Sequence, residues 1–136
     1  MYLVHLLDLK NMEIQIELIE GKDIPKEDIK AFYNSIHPSK SLLLNSFYDG
    51  IMNSDIVVSA WDDDELIGLG NAISDGDELV YFPHILVAEE YEDLEIKGKI
   101  KQLLEKKFKH FMEKKYLDDK DAFNLYKKFK YSEEKL

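Results

Sequence analysis

The chain has 136 residues, 45% of them hydrophobic and 34% charged, which suits one globular domain with its own core rather than a disordered segment. It has no cysteine, so disulfides, thiolate metal sites and thiol nucleophiles are excluded. The formal net charge is −10 and every basic residue is a lysine, a balance that repels nucleic acid and anionic membranes and provides no bidentate guanidinium grip.

Met1 to Leu9 is briefly apolar, but it lacks a basic leader and Asp8 interrupts it, so it does not read as a signal peptide. Residues 1–11 are expected to be an N-terminal extension or an extra strand, dispensable to the domain formed by residues 12–136. From Glu13 to Ile19 the chain alternates, with Ile14, Ile16 and Leu18 on one face, as in a half-buried strand. Pro25 suits a helix start, and Ile29, Phe32, Tyr33 and Ile36 follow at helical spacing until His37-Pro38 stops them. Ser39 or Ser41 opens a second helix through Leu43, Leu44, Phe47 and Tyr48, expected to close at Gly50.

Three strands follow. Ile56–Trp61 turns at Asp62-Asp63-Asp64 into Leu66–Ile73, which turns at Ser74-Asp75-Gly76-Asp77 into Leu79–Val87. Ile96, Ile100, Leu103, Leu104, Phe108 and Phe111 trace the apolar stripe of an amphipathic helix. A short strand fits between Phe111 and Leu117. Asp118 or Asp119 caps a last helix through Ala122, Leu125 and Tyr126, and Tyr131-Ser132 is expected to begin a final strand. An antiparallel meander followed by helix and strand implies an α/β architecture, a twisted mixed sheet with helices on its faces.

The order of these elements resembles the GNAT (N-acetyltransferase) superfamily, and several phrases carry the resemblance. Asp55 to Trp61 followed by Leu66-Ile67-Gly68-Leu69-Gly70 is similar to that family's second and third strands. Tyr81 to Tyr91 is similar to its fourth strand and exit, and Asn124 to Tyr131 to its late "F-Y-x-x-x-G-F". Residues 13–133 are covered. The resemblance implies the GNAT fold with about four helices and an acyl-CoA-dependent transfer of acetyl to a small-molecule or peptide amine, with acetyl-CoA as cofactor.

The family's cofactor loop reads Q/R-x-x-G-x-G/A, because glycines let the backbone approach a pyrophosphate held by helix N-terminal amides. Here the aligned residues are Glu92, Asp93, Leu94, Glu95, Ile96 and Lys97, followed by Gly98 and Lys99. Both glycine positions are lost, to Glu95 and Lys97. Two readings stand side by side. In one, Asp93 is the N-cap, acids complement the helix dipole, and no phosphate is required. In the other, Lys97, Lys99 and Lys101, placed against the dipole, await a bound anion.

By the same resemblance Tyr126 falls where relatives keep a tyrosine acid for the leaving thiolate. His84 lies in the fourth strand beside the amine and suits a base, directly or through water. The backbone of Leu86, Val87 and Ala88 would meet the pantetheine arm. Tyr33, His37, Tyr48 and Trp61 are candidates for the acceptor pocket, each also an ordinary core or shell aromatic. His5, His37, His84 and His110 have no metal-ligand spacing. The expectation is a cytoplasmic acetyltransferase, possible as a homodimer, with no nucleic-acid or membrane partner. The alternative is a catalytically silent module of the same fold that binds a ligand or another chain.

Overall fold

The structure, a computed structural model, describes residues 2–7 and 13–134. Strands β1 (Tyr2–Leu7) and β2 (Glu13–Glu20) lead into helices α1 (Lys26–Ile36) and α2 (Leu44–Met52), with a 3-10 segment at Pro38–Leu43 between the helices. Strands β3 (Ile56–Asp62), β4 (Glu65–Asp75), β5 (Leu79–Phe82) and β6 (Ile85–Val87) follow. A 3-10 turn at Glu89–Leu94, helix α3 (Ile96–Lys106), strand β7 (Glu113–Tyr116) and helix α4 (Asp119–Glu134) complete the described chain.

The strands form one mixed sheet in the order β1-β2-β3-β4-β5-β7, with β6 also on β4. β1 pairs antiparallel with β2 from Tyr2↔Leu18 to Leu7↔Glu13, so residues 2–7 are an edge strand. β4 is long enough to pair with two successive partners, β6 at Gly68–Gly70 and β5 at Ile73–Asp75. β5 and β7 run side by side and parallel, from Leu79↔Glu113 to Phe82↔Tyr116. Pro83 and His84 interrupt the expected strand over Leu79–Val87. Proline lacks the ladder donor, and the carbonyl and amide of His84 instead bond the backbone and side chain of Asn71. Beyond that break β6 pairs with β4 alone among the described strands. The sheet is therefore splayed between β6 and β7.

The two faces of β4 are built differently. A Cβ on Gly70 would fall 2.5 Å from Ile100 Cγ2, and one on Gly68 would fall 3.1 Å from Ile100 Cδ1. These glycines let α3 lie directly on the sheet. On the opposite face α1, α2 and α4 pack together over a core that includes Ile29, Phe32, Tyr33, Phe47, Ile51, Ala122, Phe123 and Tyr126.

Four sequence expectations are corrected. α2 runs to Met52 instead of closing at Gly50. That glycine is buried inside the helix because the Tyr126 ring lies where a Cβ would be, 2.4 Å away. Tyr131 and Ser132 continue α4 rather than start a strand, in a helix whose first turn is capped by Asp118 Oδ1 accepting the Asp121 amide at 2.8 Å. α3 ends at Lys106, and Phe108 and Phe111 reach the core from the turns beyond it. Asp93 is not the N-cap of α3. It sits in the 3-10 turn, and Glu95 takes the cap position in the left-handed region.

Candidate active site

The break at Pro83-His84 is where polar chemistry enters an otherwise apolar core. His84 is 4% exposed, and its ring is enclosed by Phe47 from α2 and by Phe123 and Tyr126 from α4. Its Nδ1 lies 2.7 Å from Tyr126 Oη, and its Nε2 lies 2.8 Å from Asp119 Oδ1. The other carboxylate oxygen of Asp119 accepts a hydrogen bond from Lys40 Nζ at 2.7 Å. Asn71 Nδ2 donates to Tyr126 Oη and to Ser54 Oγ, each at 2.9 Å, and Ser54 Oγ donates to the Gly50 carbonyl.

The donors fix the direction of this chain. An ionised carboxylate only accepts, so Nε2 carries the ring proton and donates it in a hydrogen bond to Asp119. The neutral ring then has Nδ1 free as an acceptor, and the Tyr126 hydroxyl donates to it. Burial lowers the His84 pKa below its ordinary value. The hydrogen bond and charge of Asp119 oppose that shift without reversing it, while His37 and Lys40 add to it. The His84–Asp119 contact is therefore a hydrogen bond from a neutral imidazole at neutral pH rather than an ion pair. Burial alone would raise the carboxyl of Asp119, but hydrogen bonds from Lys40 and His84 hold it below the usual carboxylate range. Burial raises the Tyr126 hydroxyl far above the ordinary tyrosine value, so tyrosinate does not accumulate. Tyr33, stacked on Phe47 at 4.4 Å and beside His37 at 5.1 Å, has a buried hydroxyl with no hydrogen-bond partner among the described residues. Burial and the charge of Asp119 push it up to about 12.

The structure thus brings Tyr126 and His84 together and adds Asp119, Lys40, Asn71 and Ser54, which sequence reasoning did not assign to the site. It also changes the geometry available to His84. Both ring nitrogens are committed, so His84 reaches an amine only through Tyr126. The four acceptor-pocket candidates do not converge. Ring contacts join Tyr33 to His37, whereas Tyr48, in α2, lies under Lys26 Nζ from α1 and the Trp61 indole N–H donates to Ser59 in β3.

The loop before α3 keeps a glycine-type conformation without glycine. Glu95 has φ 59° and ψ 18°, and the first amides of α3, from Ile96 to Gly98, follow it directly. Leu94 is half-buried and Ile96 buried, while Glu92, Glu95, Lys97, Gly98 and Lys99 are exposed. Lys101 Nζ lies over the Tyr116 ring at 4.8 Å, away from this turn. Val87, Ala88 and Glu92 line a groove of about 320 Å³ with Glu65, Glu89 and Glu90. It continues past Ser35, Glu65 and Leu66 into a groove of about 550 Å³ lined by Asp28 and Asp62 to Asp64. Tyr91 donates to Asp62, one of the acids lining the second groove. Among the described residues no cluster of three or more metal-type ligands occurs, and no described helix is long and apolar enough to cross a membrane.

No protein-family model and no curated protein matches the chain by sequence. Solved structures do match. A GNAT-family acetyltransferase from Streptococcus pneumoniae is 18% identical with a TM-score of 0.62, over 76% of this chain and 75% of that one. A protein of unknown function from Staphylococcus aureus, described as a probable acetyltransferase, is 27% identical with a TM-score of 0.59, over 83% and 88%. An aminoglycoside 6'-N-acetyltransferase complexed with coenzyme A is 19% identical with a TM-score of 0.60, over 71% of this chain and 57% of that one. The fold is that of the GNAT superfamily.

Proposed function

We propose that the chain is an acyl-CoA-dependent N-acetyltransferase with weakened cofactor affinity, acting on a cationic small-molecule or peptide amine. The observation that carries this reading is the strand break. It splays β6 from β7, and His84, whose ring pairs with the Tyr126 hydroxyl, lies in the break itself. The backbone of Leu86, Val87 and Ala88 fits an extended amide-bearing arm, because β6 has one strand partner and a second edge facing the splay. The left-handed turn at Glu95 and the first amides of α3 fit a phosphate group, since helix N-terminal amides lack internal partners. Glu92, Glu95, Glu89 and Glu90 oppose that fit and favour a cationic acceptor nearby. When bound, acetyl-CoA supplies an acetyl thioester. Tyr126 holds a proton at Oη, and His84 orders that hydroxyl through Nδ1.

Calorimetry with acetyl-CoA and a thiol-release assay with a polyamine, an aminoglycoside and a lysine peptide test the reading. The expected result is a Kd nearer to millimolar than micromolar, on the scale where about 4 kcal/mol corresponds to 1 mM, with turnover of at least one amine. A second reading, a silent module of the same fold, is favoured by the burial of Tyr126, 6% exposed. The absence of both binding and thiol release, even with glycines restored at Glu95 and Lys97, would establish it.

A further inference from the structure

The donor and acceptor assignments around His84 lead beyond a tyrosine acid acting alone. We propose, resting on the acetyltransferase reading, that Tyr126, His84 and Asp119 form one acid–base unit, in which Tyr126 Oη is the contact atom, His84 Nδ1 stores the proton, and Asp119, held by Lys40, is the positioning residue. A base and its orienting carboxylate are recognised by geometry and role rather than by sequence position. Here a tyrosine hydroxyl stands at 2.7 Å from one ring nitrogen and a carboxylate at 2.8 Å from the other.

The proton balance closes within the unit. In the base half, the amine proton passes to Tyr126 Oη as the hydroxyl proton passes to Nδ1, leaving an imidazolium whose Nε2–H remains on Asp119. In the acid half, Nδ1–H returns to Oη as the Oη proton passes to the departing sulfur. The cationic amine first gives one proton to solvent; the neutral nitrogen then bonds the thioester carbonyl carbon as the carbon–sulfur bond breaks, and in that transfer one proton leaves nitrogen and one reaches the thiol. Asn71 keeps one lone pair of Oη occupied throughout, so the hydroxyl has only two settings. Its proton points at Nδ1 when the ring is neutral. It is free for a substrate when the ring carries both protons.

The arrangement is not what packing alone selects. Apolar side chains of similar volume would fill this space without desolvating an imidazole, a phenol and a carboxylate. The charged and titratable groups facing the ring are Asp119 and Tyr126 from α4, His37 and Tyr33 from the α1 side, and Lys40 from the 3-10 segment. Asp119 and Lys40 act on His84 with opposite signs, and that opposition can be measured.

Ring nitrogens would be followed by 15N NMR across a pH series on the full chain, in the parent, Asp119→Asn and Lys40→Met proteins. The His84 signals, among four histidines, would be assigned by their loss in His84→Gln. The expected parent spectrum is a neutral Nε2–H tautomer at neutral pH. The titration midpoint should move down in Asp119→Asn and up in Lys40→Met. In the thiol-release assay Asp119→Asn should lower kcat at least about tenfold while KM for acetyl-CoA stays within about twofold. Lys40, exposed at its head, keeps the test open where Asp119→Asn fails to fold. An Nδ1–H tautomer in the parent, or midpoints that do not move in opposite directions, would overturn the unit. Opposed shifts in a chain that acetylates nothing would support the proton coupling and sink the acetyltransferase reading. Turnover with unmoved midpoints would do the reverse.

Discussion

Glu95 holds its backbone at φ 59° with an exposed side chain. A left-handed conformation costs an L residue about 1–2 kcal/mol, and glycine gives back about 0.5–1 kcal/mol of that through its greater freedom when unfolded. Glu95→Gly should therefore stabilise the chain by about 0.5–1 kcal/mol, read as a higher urea midpoint at unchanged slope. A lower midpoint would show that the carboxylate makes a compensating contact. Tyr126→Phe should do the opposite. It leaves His84 Nδ1 without a donor and Asn71 Nδ2 with Ser54 alone, at a cost of about 1–2 kcal/mol. Loss of turnover in that variant is informative only beside its stability, measured on the same preparation. Tyr126 and His84 were legible because each sits in a phrase that resembles a family motif. Asp119, Lys40 and Asn71 were not. Asp119 is 35 residues from His84, Lys40 is 79 from Asp119, and Asn71 is 55 from Tyr126. Nothing local marks a side chain whose role is set by a partner that distant in sequence.

At the scale of elements, alternation and helical spacing identified the regular parts, because each amphipathic face must meet the core. They failed where backbone geometry depends on a neighbour. Gly50 carries a stop signal in sequence, yet α2 continues through it because the Tyr126 ring on α4 occupies the space over its Cα. Gly50→Ala favours the helix locally by about 1 kcal/mol, but forces either the ring or the helix to move. Overpacking of that kind costs about 1–3 kcal/mol. The expected sum is destabilisation, with displaced Tyr126 resonances and a weakened His84 contact, while a stabilised protein would show that α2 and α4 slide apart freely. The same helices set a dependence on pH. Their aromatic cover keeps His84 below its ordinary value of 6.5. Between the folded value and about 6.5 the unfolded chain binds more protons. This site's contribution is thus fully present above about 6.5 and is lost as pH falls through the folded value. Asp119, itself lowered, adds a further loss in stronger acid. Comparing urea midpoints of the parent and His84→Gln between about pH 7.5 and 5.5 isolates the histidine. The gap between them should narrow toward acid; a constant gap would mean that folding leaves the His84 pKa unshifted, and a widening gap that the folded ring is charged throughout.

At the scale of the whole molecule, the charge distribution opposes the ligand of the proposed cofactor site. Acetyl-CoA carries several phosphate charges, and the chain carries −10. Near the turn the exposed acids Glu89, Glu90, Glu92 and Glu95 outnumber the exposed lysines Lys97 and Lys99, since Lys101 lies over the Tyr116 ring. Each lysine contributes about 0.3–1 kcal/mol at most from a first helical turn, where it also opposes the dipole. Each like-charge pair at contact range costs about 1 kcal/mol in water and more where solvent is partly excluded. Repulsion wins on these magnitudes, and it is long-ranged, because a net charge is felt out to a screening length of about 10 Å at 0.1 M salt. Adding salt should therefore tighten acetyl-CoA binding, the reverse of the usual behaviour of a phosphate site built on cations. Calorimetry from about 10 to 150 mM salt should show Kd falling several-fold. The variant with Glu92→Gln, Asp93→Gly, Glu95→Gly and Lys97→Gly should bind more tightly at every salt concentration and lose most of that dependence. If binding by the parent weakens as salt is added, the lysines govern the site. In that case Lys97→Ala and Lys99→Ala, rather than the restored glycines, would produce the larger change in Kd.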